Sequence, residues 1–477
     1  MSPSRQKLVL SPLDQHGPKV FTRMALIFPV IEYGPAIERL QLALSRTCDQ
    51  LPYLKGTVVE GDLSQRKQCS IIFDPADAAP QFIEIVAPSG MRSYTDLKMD
   101  RTPFPPEVFP SPMVPGGPVD TAIPVLGGSY TKIQGGLVVC IATYHKVVDG
   151  TGYSEILKLL AQHSRKDTTS TLSGIGPDPN EITMRRRRIL GGKLEVSNEL
   201  KELDLEAMLS RHTEYTLKSK INLDRTNGSF GAPNAGRFAF SGNNTNQVFA
   251  FSGAKLEAAK SLLADKLPSS SLTVNNILTA VIWAFITHIR ATRKEGALTA
   301  RTSTIDFSVS GRRLVGDSML DPPFLGNAIG YAQTKAHISE LSFLPSLDTV
   351  DRLIAIIDDI ANASAKLTAT TMESLVHLSD KNPDLSNITM SWLLNGPGDL
   401  HFISWAQVAI YELDFGPTLG RPGFMRSAFI RLDGVVTFLP RRRSEAGNEE
   451  MDVSVLLRED DMERLSHELT WNGWLVN

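Results

Sequence analysis

Cysteine is scarce in this chain: Cys48, Cys69 and Cys140 are the only three in 477 residues, widely spaced and without any Cys-x-x-Cys. That excludes a disulfide framework and a zinc ribbon, and it points to a reducing compartment. Net charge is lacking as well. With 49 Lys and Arg against 52 Asp and Glu, the formal value is −3, too near neutrality to draw the protein to nucleic acid or an anionic membrane. The longest apolar stretch, around "ILTAVIWAFITHI", falls short of the ~20 residues that a membrane span needs. The start, "MSPSRQKLVLSPLDQHGPK", has no continuous apolar segment of the signal-peptide kind. A soluble cytoplasmic protein is therefore expected.

Catalytic signatures are missing too. There is no Gly-x-Ser-x-Gly nucleophile elbow and no His-Glu-x-x-His metal motif, so neither a covalent serine mechanism nor a metal site is indicated. Gly150-x-Gly152 is at most a truncated dinucleotide fingerprint, because Glu155 holds the third glycine position and no second βαβ unit follows. No short-period repeat is present.

What is present is ample apolar material, 42% of residues, in a chain long enough for two domains. Strand-like runs ("RMALIFPV", "GGLVVCIATY") alternate with helical ones. "AIERLQLALSRTCDQLP" carries Ile37, Leu40, Ala43 and Leu44 near helical spacing and ends at Pro52. Residues 100 to 125 are rich in proline and glycine and read as an irregular loop. From about 164 to 245 the composition turns polar, which predicts an interdomain crossover; Arg185 to Arg188 within it read as a solvated charge cluster. After it come a strand ("QVFAFSG"), the helices "KLEAAKSLLADKL" and "TVNNILTAVIWAFITHIRATR", a hairpin signalled by Asp433-Gly434, a strand "MDVSVLL" and an amphipathic helix "EDDMERLSHEL". The pattern predicts mixed α/β architecture in two similar-sized halves: 1–195, a crossover at 196–245, and 246–477.

The stretch "YHKVVDGTG" concentrates the chemistry. The apolar run before it reads as a strand buried on both faces, and Tyr153, Ile156, Leu157, Leu160 and Ala161 continue at helical spacing. His145 thus lies at a strand's end and Asp149 at a helix start, where aspartate is also a good N-cap and Gly150 and Gly152 permit a sharp turn. The spacing alone is weak evidence, since His163 and Asp167 share it in a polar context. A neutral imidazole at the floor of a cleft can act as general base toward an alcohol or amine.

"HKVVDG" together with "YELDFGPTLGRPGF" resembles the motif pair of the BAHD acyl-CoA-dependent acyltransferases, in particular the fungal branch that includes trichothecene O-acetyltransferases. The likeness extends over "LSPLDQ", "LPYLKGTV", "LTVNNILTAVIWAFI", "SVSGRRL", "PPFLGNAIG", "ISWAQVAIYELDFG" and "VVTFLPRRR". The resemblance implies two chloramphenicol-acetyltransferase-like domains with the active-site tunnel between them. It implies acyl transfer, most often of acetyl, from acyl-CoA as co-substrate to a hydroxyl of a small hydrophobic metabolite, by a monomer that holds no bound cofactor or metal. His145 would be the base. Asp149 would point away and pair with an arginine, Arg312 or Arg313. Ser404 and Trp405, with Gly150, would lie near the reacting centre and its oxyanion. Asp414, Phe415 and Gly416 would be structural. Pro417, Thr418 and Leu419 stand where the family carries a tryptophan, Tyr144 replaces a frequent first histidine, and Ser310 replaces an aspartate before Gly311. N-acylation, a carrier-protein donor, and a repurposed or noncatalytic member of the fold are the alternatives. Tunnel shape is expected to depend on loops at 100–125 and 365–400.

Overall fold

In the computed structural model the chain is described apart from residues 1–4, most of 100–121, 166–197, 219–243, 295, 317–318, 321–322, 392–397, 428–432, 444–448 and 477. The predicted crossover lies partly outside this range, as do Arg185 to Arg188. Among the described residues two large sheets carry the fold.

The first sheet has five strands in the order Phe424–Ser427, Phe21–Phe28, Gly136–Tyr144, Leu126–Ile133 and Phe82–Glu84. All nine residues of Gly136–Tyr144 are buried, which is why the run reads as continuously apolar. Leu137, Val139 and Ile141 pack under the helices Tyr33–Gln50 and Gly150–Arg165, with Leu40, Leu44, Ile156 and Leu160. Val138 and Cys140 face the opposite cluster of Ala25, Ile27, Leu97 and Phe104. All three cysteines are free and buried. Burial pushes the Cys48 and Cys140 thiols up to about 12, so neither is a nucleophile at neutral pH.

The second sheet runs Asn244–Ser252, Glu449–Arg458, Val435–Phe438, Leu400–Ser404, Thr302–Ser310 and Ile329–His337, with Arg442–Arg443 beside Glu449–Arg458. Its two faces differ in kind. Phe249, Ile305, Phe402, Val436, Phe438, Val453 and Val455 pack on one side against the helix Val274–Ala291 and its neighbours. The alternate residues, including Asp306, His401, Thr437 and Ser454, are polar yet buried. That inner face looks toward the first half, because Val248 and Ile403 on it join the first core. No described helix is long and apolar enough to cross a membrane.

Three expectations change. The run before Asp433-Gly434, 428–432, lies outside the described residues, but the strand after it is closed to a hairpin partner: Val435–Phe438 has Leu400–Ser404 on one edge and Glu449–Arg458 on the other, while the Asp433 carboxylate takes Arg290 at 2.7 Å. The 365–400 region is not a loop throughout, since Ala369–Lys381 is a helix capped by Thr368, with Met372, Leu375, Val376 and Leu378 buried at helical spacing. Part of the polar crossover is also folded. Leu205–Arg211 and the strand Tyr215–Leu217, which pairs with Ile388–Met390, place Met208, Leu209 and Tyr215 in a third cluster with Leu13, Tyr331 and Met372.

Candidate active site

Strand pairing carries the chain to His145, whose N–H still donates to the Val20 carbonyl at 2.8 Å. A tight turn follows, with Val147 N–H on the Tyr144 carbonyl at 2.9 Å. Asp149 then caps the helix Gly150–Arg165: its carbonyl accepts from Tyr153 N–H at 2.8 Å and its Oδ1 from Gly152 N–H at 3.0 Å. Strand end, turn and cap are all written in nine residues.

Asp149 also turns away from His145 into a buried ion pair. Arg312 donates to it twice, Nη1 to Oδ2 at 2.9 Å and Nη2 to Oδ1 at 2.8 Å, and Ala328 N–H adds a bond to Oδ2 at 3.1 Å. The guanidinium is fixed in turn by the Phe324 carbonyl (3.0 Å from Nε) and the Gly326 carbonyl (2.8 Å from Nη2). Arg313 is exposed and takes no part. Burial works against ionising Asp149, but the charge and hydrogen bonds of Arg312, with the N–H groups of Gly152 and Ala328, outweigh it and hold the carboxyl below its ordinary value.

His145 is pushed the other way. Burial lowers its pKa, and its own carbonyl, the Asp149 charge and Asn327 restore only part of the difference. The ring is thus neutral at pH 7. Nδ1 is enclosed by protein, whereas Nε2 makes no hydrogen bond among the described residues and is the atom open to a proton.

Two residues that sequence reading did not assign here secure the loop. Asn327 donates Nδ2 to the His145 carbonyl at 2.8 Å and to Asp14 Oδ1 at 3.1 Å, while its N–H reaches the same Oδ1 at 2.8 Å. Asp14 is fully buried and accepts from Ser11 N–H and Oγ through Oδ2. The Ser-x-x-Asp of "LSPLDQ", a capping-box spacing, was the available signal for this carboxylate. Nothing in "LGN" announced the reach of Asn327.

Gly152 has a steric role. A Cβ there would stand 2.3 Å from the Leu325 carbonyl oxygen and 3.0 Å from Val148 Cγ1. The helix can approach the 324–328 backbone only because that atom is missing. Gly152→Ala is expected to destabilise the protein by about 1–3 kcal/mol, the usual cost of overpacking. Urea denaturation checks it: an unchanged midpoint would show that the backbone yields freely.

Trp405 is brought to the same place from the second half. Its ring lies over Gly150, where a Cβ would be 3.4 Å from Cη2, and meets Tyr153 edge-on at 5.7 Å. It is buried in the first core. Ser404, at the exposed end of its strand, accepts from Asn275 Nδ2 and Ala406 N–H, both at 3.4 Å. Asp414, Phe415 and Gly416 are not part of this assembly. They clasp the far end of the Gly150–Arg165 helix, roughly 20 Å along it at 1.5 Å per residue. Ser164 Oγ donates to the Phe415 carbonyl at 2.7 Å, the Phe415 ring meets Phe28 at 5.0 Å, and Gly416, at φ +88°, lies 3.2 Å from Arg165 Cα as a Cβ would measure it. Leu419 is buried in the first core.

A second histidine chain invites comparison: Ser374 Oγ is 2.7 Å from His212 Nε2, and His212 Nδ1 is 2.9 Å from Glu214. Ser374 lies inside the helix Ala369–Lys381, where backbone N–H groups are already used, and it is buried. The chain ties the crossover to that helix. Among the described residues no group of three or more His, Cys, Asp or Glu is placed to hold a metal ion.

Two family models match the sequence: the Trichothecene 3-O-acetyltransferase-like N-terminal domain over residues 20–163, and the Transferase family over residues 236–471. Trichothecene 8-O-acetyltransferase of Fusarium sporotrichioides is 26% identical, the alignment covering 98% of this chain and 97% of the relative. Eremophilane O-acetyltransferase ORF8 of Penicillium roqueforti is 25% identical, covering 91% and 92%. Among solved structures, F. graminearum TRI101 complexed with coenzyme A and T-2 mycotoxin matches with a TM-score of 0.72 at 19% identity, covering 98% of this chain and 99% of that one. This last likeness shows the shared two-domain fold.

Proposed function

The chain belongs to the BAHD-type Transferase family, in its trichothecene O-acetyltransferase-like branch, and from that premise we propose that His145 is the general base of an acyl-CoA-dependent O-acyltransferase. The reaction moves an acyl group, acetyl by the habit of the relatives, from acyl-CoA to a hydroxyl of a small hydrophobic secondary metabolite. The observation that carries the reading is the open Nε2 of a neutral His145 on a loop whose carboxylate, Asp149, is committed to Arg312.

The chemistry follows from that arrangement. Nε2 takes the hydroxyl proton as the acceptor oxygen bonds to the thioester carbonyl carbon, and the carbonyl electrons move onto oxygen. Ser404 and Trp405 are the candidates to stabilise that oxyanion. Collapse of the intermediate breaks the C–S bond, and the imidazolium returns its proton to the departing CoA thiolate. Asp149 takes no proton at any stage, because its pairing with Arg312 keeps it ionised. The residues of the site come from both halves of one chain, so the protein is proposed to act as a monomer, and its three free thiols accord with the cytoplasm.

The test requires no knowledge of the acceptor. A melting experiment with CoA, acetyl-CoA and longer acyl-CoAs should show stabilisation by one of them, about 2.7 kcal/mol when the ligand is at 100 times its Kd. No shift with any acyl-CoA, and a shift with a phosphopantetheinyl carrier protein instead, would replace this reading with carrier-dependent transfer.

A further inference from the structure

The inner face of the second sheet is polar and turned toward the first half, which core packing does not explain. Desolvating a polar group without a partner costs about 1–3 kcal/mol. At one edge of that face two rungs stand side by side. Ser308 is paired with Tyr331, and Asp306 with Gln333, in antiparallel register. The strand that carries Tyr331 and Gln333 begins two residues after Asn327, whose amide holds the His145 carbonyl. The edge of the face therefore leads away from the catalytic loop.

The two rungs are in different states. Asp306 and Gln333 satisfy each other through a hydrogen bond, and Gln333 also engages Ser391 at 3.3 Å and Thr213 at 3.2 Å. The Tyr331 ring is only 9% exposed and packs against Tyr215 at 6.1 Å, which in turn meets His16 at 5.2 Å. Its hydroxyl nevertheless makes no hydrogen bond among the described residues, and it is not one of the sealed polar atoms. The Ser308 hydroxyl is half-buried and likewise makes none. Tyrosine O–H groups usually find a partner when the ring is buried, so a buried ring whose hydroxyl is unused and not sealed off marks a place for a ligand atom. Burial, reinforced by the negative charges of Asp149 and Asp306, raises the phenol above its ordinary value, so it stays a donor at neutral pH.

We propose that Tyr331, with Ser308 beside it, is the specificity-determining contact for the acceptor, donating a hydrogen bond to a second oxygen function of that molecule remote from the hydroxyl that is acylated. The ligand class is thereby narrowed to neutral, polyoxygenated alcohols: ketones, ethers or additional hydroxyls on an otherwise apolar frame. Carboxylated acceptors are disfavoured, because the Asp306 carboxylate stands on the adjacent rung, whereas the charge of Asp149 is offset by Arg312. This inference rests on the acyltransferase reading above.

The probe is a set of matched decalin alcohols, each with and without a remote keto group, plus a carboxylated analogue, assayed with acetyl-CoA. The unaltered protein should favour the keto member by ~3–10-fold in kcat/KM, the range of one hydrogen bond, and should reject the acid. Tyr331→Phe keeps the ring and should abolish the preference through acceptor KM, leaving kcat on the plain alcohol and the acetyl-CoA melting shift unchanged. Ser308→Ala should reduce the preference in part. A preference that survives in both variants overturns the subsite. Failure of the unaltered protein to acetylate any member overturns the proposed function itself, and the two failures differ in which protein shows them.

Discussion

Replacing His145 with alanine should lower turnover by at least ~10²–10⁴, the contribution of a positioned general base, while acyl-CoA still stabilises the protein against heat. The separation matters, because loss of folding would abolish both readouts. The unaltered enzyme supplies a second check through pH. The base must be neutral to act, and burial lowers its pKa from the ordinary 6.5. Activity in kcat/KM should therefore already be on its plateau at pH 7 and fall only as pH drops through the lowered value. A limb centred above 6.5 would mean that the histidine is held in its charged form, and near-normal turnover by His145→Ala would remove it from the mechanism.

The second large effect concerns the partner that His145 never touches through its ring. Arg312→Ala leaves Asp149 buried and unpaired, which should cost about 3–5 kcal/mol of stability. Activity should be lost with it, since the carbonyl groups of Phe324 and Gly326 also lose their donor and the 324–328 segment supports Asn327. Asp149→Asn combined with Arg312→Met should be less destabilised than Arg312→Ala alone, because it removes both charges and leaves neither uncompensated. Equal losses in the two proteins would show that shape rather than charge pairing is at stake. The pH dependence has a definite sign. Asp149 titrates below its unfolded value of 3.8, so its contribution is present above that value and disappears as pH falls through the folded pKa. Urea midpoints measured between pH 3 and 7 should thus converge for the native protein and the doubly substituted one at the acid end.

Much of the site was legible because it is local. The run Gly136–Tyr144 is apolar at every position since both its faces are covered, and helical spacing resumes at Tyr153. Asp149 followed by two glycines can do little but cap and turn. The strand end and the cap set His145 and Asp149 where they stand. The hairpin read into Asp433-Gly434 shows the limit of the same reasoning: the turn chemistry was recognised, but no local rule says that Leu400–Ser404 and Glu449–Arg458 will take both edges of the strand that follows.

Long-range pairing was decided elsewhere. Arg312 and Arg313 are adjacent and chemically identical, and only the position of Ala328, Phe324 and Gly326 selects the first for a carboxylate 163 residues away. Asn327 reads as an ordinary turn residue until Asp14 and the His145 carbonyl come within reach of one amide. Trp405 enters the first core although its strand belongs to the second sheet, and Phe424–Ser427 completes the first sheet from the far end of the chain. Sequence by itself determined most of the elements and the position of His145 at a strand's end, because periodicity, caps and turns act over a few residues. Which distant side chains would meet depended on the packing of two layers against each other, and only the tertiary structure settled that.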